Sequence, residues 1–146
     1  MRSPKRNLSA SIHNIISHMK TTNGNAHAAA IILRWGLAFI FFYAAISSLR
    51  SPDNWIGFLP HFVQVAFPGN LSLTVFAALE IILAAWLFSG RKLVWSAGLA
   101  SLALLLVILA NLDAMDLIFR DVGLLFAALA LLELARNGAH TAETEE

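Results

Sequence analysis

The chain has 146 residues, of which 58% are hydrophobic and 13% charged, against roughly a quarter charged in soluble globular domains, and its mean hydropathy is +0.70. A formal net charge of +1 and the lack of any basic run interleaved with aromatics exclude an electrostatic footprint for nucleic acid. With no cysteine, the chain forms no disulfide, thiolate metal site or dithiol relay of its own.

Arg2, Lys5 and Arg6 open the sequence, but no continuous apolar region leads from them to a small-residue cleavage site, so a signal peptide is not expected. Leu8, Ile12, Ile15, Ile16 and Met19 recur at steps of three and four between polar residues. That spacing predicts an amphipathic helix lying in the membrane interface, within a cytoplasmic tail over residues 1–27; disorder is the alternative. Thr21-Thr22-Asn23-Gly24-Asn25 has turn chemistry and predicts a hinge into the membrane.

Four apolar runs follow, over residues 28–49, 71–89, 93–111 and 117–135. Each is long enough, at about 1.5 Å per residue, to cross a hydrocarbon core of roughly 30 Å, and the period-two alternation of a barrel is missing. Ser51-Pro52-Asp53-Asn54 stops the first run, while Asn70 opens the second and Gly90 closes it. Between them, residues 55–68 are too apolar for water and too short to span, so this segment is expected along the outer interface, capping the bundle. Lys and Arg concentrate before the first run, at Arg91 and Lys92, and at Arg136, whereas the other side holds Arg50 and Arg120 among four aspartates. By the positive-inside rule the fold is an all-α, integral membrane four-helix bundle over residues 28–136, multi-pass in the inner membrane. Both termini are then cytoplasmic, and residues 137–146 form a polar tail.

Charges inside the apolar runs are the candidate functional groups. Glu80 falls near the bilayer midplane, where an ionised side chain costs at least about 2.5–3.5 kcal/mol, so it needs a partner or a proton. Ala77 and Ala84 share its helix face and mark a packing stripe, which directs Glu80 into the bundle. Arg34, in the first run, is the candidate partner; the alternative is that Arg34 reaches to the inner headgroups while Glu80 holds a proton. A second group comprises Asp113, Asp116, Arg120 and Asp121, the first three meeting on one face of a continuous helix. Gly123, Ala127 and Ala130 continue the Arg120 face, which would point Arg120 inward as an entry site; the competing reading is a solvated helix end whose acids decorate the loop while Arg120 pairs with Asp116 or Asp121. His61 stands alone in the outer loop, and His13, His18 and His27 lack metal-ligand spacing, so no metal is expected.

Arg34-Trp35-Gly36-Leu37-Ala38-Phe39, Glu80-Ile81-Ile82-Leu83 ending in Ser89-Gly90-Arg91, and Phe119-Arg120-Asp121-Val122-Gly123 occur in that order. Over residues 34–132 the chain resembles the DoxX-like membrane proteins. The resemblance implies a small four-helix membrane protein, some relatives of which are membrane subunits of thiosulfate:quinone oxidoreductase or accompany redox-protective enzymes. On that basis, a quinone is the only cofactor implied, and a membrane or soluble redox protein, or a second copy of the chain, is the expected partner besides the bilayer. A non-catalytic scaffold that recruits a partner is the competing reading, and a small transporter is a third. Whether the chain is itself an enzyme stays open at this level.

Overall fold

The computed structural model describes residues 4–58, 65 and 70–143. Its elements are α1 (Pro4–Arg50), α2 (Pro52–Trp55) with a 3-10 turn over Ile56–Phe58, α3 (Asn70–Ser89), α4 (Leu93–Ala110), a 3-10 turn over Leu112–Ala114, and α5 (Met115–Glu143). No strand occurs among the described residues. Three segments, Gly24–Arg50, Leu71–Ser89 and Leu93–Ala110, are long and apolar enough to cross a membrane.

The helix ends follow from local chemistry. Pro52 lacks the N–H needed to continue α1 and begins α2 instead. At the end of α3, Gly90 takes a φ of +68° and Lys92 a φ of 49°, two left-handed residues that reverse the chain into α4. Side chains hold this turn: the Trp86 indole Nε1 donates to the Arg91 carbonyl at 2.7 Å, and the Ser89 hydroxyl donates to the Trp86 carbonyl at 2.8 Å. At the end of α4, the Asn111 amide donates to the Val107 carbonyl at 2.8 Å, covering a group the helix leaves unpaired.

α1 packs along α3, and α4 along α5; α1 also meets α5, and α3 meets α4 more sparsely. The bundle therefore has a loop end, where α1 stops and α3 begins, and a turn end at Gly90. Its packing is inverted relative to a soluble protein. Small residues such as Ala45, Ala77, Ala97, Ala100 and Ala128 are fully buried, and Phe39, Ile82, Trp95, Phe119 and Phe126 are exposed. In water that exterior would be an aggregating surface, but in lipid it is the expected one, because helices there associate by close backbone approach between small residues. Buried hydroxyls are satisfied within their own helices, Ser48 donating to the Ala45 carbonyl and Ser101 to the Ala97 carbonyl, each at 2.9 Å.

One expectation needs correction. The hinge expected at residues 21–25 is helical, so α1 runs unbroken through Asn23, Gly24 and Asn25. Asn and Gly in a helix interior cost up to about 1 kcal/mol each, less than opening several hydrogen bonds of a helix that continues on both sides. The helix of α5 continues beyond residue 135 to Glu143, with the Asn137 amide donating to Glu133 at 3.3 Å. Most of the outer loop, His61 included, lies outside the described residues.

Candidate functional site

A cavity of about 890 Å³ occupies the loop half of the bundle, between α1, α3, α4 and α5. Its walls are apolar, formed by side chains such as Phe76, Leu104 and Leu124, and Trp55 at the end of α2 borders it. Tyr43, Val75, Leu79 and Leu106 line the cavity and are also exposed on the exterior, so its wall is continuous with the lipid-facing surface. α3 and α4, which touch less than α1 and α3 or α4 and α5 do, supply Leu79 and Leu106.

Few polar groups face this space. Glu80 enters from α3, ten residues after Asn70 and so about 15 Å along the helix, on the same face as the buried Ala77 and Ala84. Its carboxyl makes no ion pair or hydrogen bond among the described residues, which leaves it free to bond a ligand in a largely apolar chamber. Ser47, Ser48 and Ser72 contribute hydroxyls nearer the loop end. From α5 come Arg120 and Asp121, with Arg120 Nε 3.5 Å from Asp121 Oδ1.

The expected Arg34–Glu80 pair is not formed. The Arg34 guanidinium packs against Gly90, ten residues and about 15 Å along α3 from Glu80. Trp35 stacks beside Phe88 with ring centroids 5.4 Å apart, fixing the same register. Arg34 thus sits level with the turn end, where a long cation reaches the headgroup region, and Glu80 faces the cavity alone.

Arg120 follows the solvated-end reading, paired with Asp121, and does not point inward. Its side chain is 68% exposed, against 17% for Asp121. α5 packs through Ile118, Ala128 and Leu131, with Asp121 half-buried on that side, whereas Gly123 and Ala130 are exposed. The carboxylate of the pair therefore lies deeper and the guanidinium stays at the rim, where it keeps its hydration. Asp113 and Asp116 are exposed and make no ion pair with Arg120; the 3-10 turn over Leu112–Ala114 breaks the continuous helix that would have aligned all three.

Sequence reasoning missed the serines. Ser48 and Ser72 are both buried, one near the end of α1 and one near the start of α3, so both lie toward the loop end on neighbouring helices. Small polar residues near the loop-end limits of both apolar runs were the available signal. No protein-family model, curated protein or solved structure matches the chain.

Proposed function

We propose that the chain is a four-span, DoxX-like inner-membrane protein with both termini cytoplasmic, whose cavity seats the head of a membrane quinone. In this reading it is a quinone-facing accessory subunit of a membrane redox complex. The observation that carries the reading is the cavity itself. Its 890 Å³ lies in the size range of small-molecule sites, its walls are apolar, and a carboxyl group projects into it. Its wall joins the lipid-facing surface, which suits a ligand that arrives through the bilayer. Glu80 would hydrogen-bond a carbonyl or hydroxyl oxygen of the ring, and the serines and Asp121 would order the remaining polar edge.

α5 supplies the fourth crossing. Residues 117–135 hold Arg120, Asp121 and Glu133, but the first two lie toward the loop end and Glu133 toward the turn end, leaving an apolar middle packed on α4 and α1. The turn half of the bundle is filled by Leu37, Ala38, Leu87, Ala97 and Leu131, which interrupts the polar path a transporter would need.

The test is to purify the protein from native membranes in mild detergent and to quantify extracted quinone by mass spectrometry, with size-exclusion chromatography recording partners and copies. Near-stoichiometric quinone is expected, falling several-fold in Glu80→Leu while circular dichroism stays helical. Folded, monodisperse wild-type protein without quinone would overturn this reading and leave the scaffold.

A further inference from the structure

The turn end carries a second polar arrangement, separate from the cavity. Gly90 gives the Arg34 guanidinium its seat: a Cβ at that position would overlap Nη1 and stand 3.0 Å from Cζ. Arg34 Nε is buried and has no hydrogen-bond partner among the described residues. No carboxylate neutralises it, since the ion pair found among those residues joins Arg120 and Asp121 toward the loop end. Glu133, the acid of α5 nearest the turn end, is exposed and accepts from Asn137. A guanidinium held partly out of water without an acceptor is costly, and an anion relieves that cost.

Two further cations, Arg91 and Lys92, follow Gly90 directly and are exposed. Their backbone is pinned by the Trp86 indole on the Arg91 carbonyl. Around them stand the exposed rings of Trp35, Phe88 and Trp95, the first and last being amphipathic side chains of the kind that settle at headgroup depth. The site therefore joins a recessed planar donor, two surface cations and an apolar flank, which matches a phosphate carrying acyl chains better than a free ion.

We propose that the α3–α4 turn, with Arg34 behind it, is a binding site for the phosphate of an anionic phospholipid. The phosphate oxygens take hydrogen bonds from Arg34 and charge from Arg91 and Lys92, and the acyl chains lie along the apolar exterior beside Phe88. This assignment is independent of what the cavity holds.

The experiment is native mass spectrometry of the full chain in detergent, offered phosphatidylglycerol and phosphatidylcholine at equal concentration. Phosphatidylglycerol is expected to be retained about tenfold more, because its phosphate charge is uncompensated, whereas the choline cation of phosphatidylcholine offsets the same charge and is repelled by Arg91 and Lys92. Arg91→Gln/Lys92→Gln, confined to an exposed turn, should cut that preference several-fold. Arg34→Gln should abolish it and Arg34→Lys restore part of it, while the charge-matched control Arg50→Gln at the loop end leaves it unchanged. If Arg34→Gln does not fold, the turn double variant decides alone. Equal retention of the two lipids, or equal losses in the turn variant and in Arg50→Gln, would overturn the proposal. So would full displacement of the lipid by millimolar inorganic phosphate, which would identify a site for the free anion.

Discussion

At the scale of single residues, Gly90 bears two demands that no other side chain meets. Its φ of +68° is a conformation that costs an L-residue about 1–2 kcal/mol, and its missing Cβ makes room for Arg34. Gly90→Ala is therefore expected to lower thermal stability in detergent by more than the backbone cost alone. In an Arg34→Ala background the loss should shrink toward that backbone cost; an equal loss in both backgrounds would show that the guanidinium does not pack there. The same geometry governs Glu80. With about 15 Å of helix between Glu80 and Gly90, where the Arg34 guanidinium packs, Glu80→Gln and Arg34→Met should destabilise additively, within about 0.5 kcal/mol. Coupling well beyond that in a double-mutant unfolding cycle would mean that the two charges meet after all.

At the scale of elements, the positions of α3 and α4 were legible as apolar runs closed by Gly90 and Asn111, because helix is the only backbone that satisfies its own hydrogen bonds in lipid. The inward face of α5 was not legible. Small residues line both Gly123-Ala127-Ala130 and the buried Ala128 side, so composition alone does not separate the packed stripe from the exposed one. Nor was the depth of Arg34, since the register of α1 on α3 is fixed by contacts such as Trp35 on Phe88 and not by distance along the chain. The cavity was invisible for the same reason: it is lined by side chains of four long helices whose mutual register the chain order does not give. Two outcomes follow. Arg120→Ala should cost less than about 1 kcal/mol, as for an exposed ion pair, whereas Ala128→Leu should cost about 1–3 kcal/mol by overpacking the α5 interface. The reverse order in thermal unfolding would return Arg120 to the interior. In α1, Gly24 is exposed with no atom near its Cβ position, so Gly24→Ala should increase helix stability by about 0.5–1 kcal/mol. A neutral or harmful effect would restore the hinge.

At the scale of the whole molecule, small residues inside and large apolar residues outside fit a lipid surround, and the cations then bear on orientation. Arg34, Arg91, Lys92 and Arg136 gather toward the turn end, while the loop end has Arg50 and Arg120, the latter paired with Asp121. The positive-inside bias acts through short loops near the helix ends, and the α3–α4 turn with Arg91 and Lys92 is only three residues long. Reporter fusions after Arg91 should therefore read cytoplasmic and a fusion near Asn54 external. The decisive position is Arg136. Between Arg91 and Arg136 lie α4 and α5, so both reporters read cytoplasmic only if α5 crosses the bilayer as α4 does. An external reading at Arg136 with a cytoplasmic one at Arg91 would mean that the helix carrying Arg120, Asp121 and Glu133 stays out of the hydrocarbon core. The α5 side of the cavity, formed by Leu124 with Arg120 and Asp121, would then lie at the interface, and the proposed quinone site would no longer be enclosed within the bilayer.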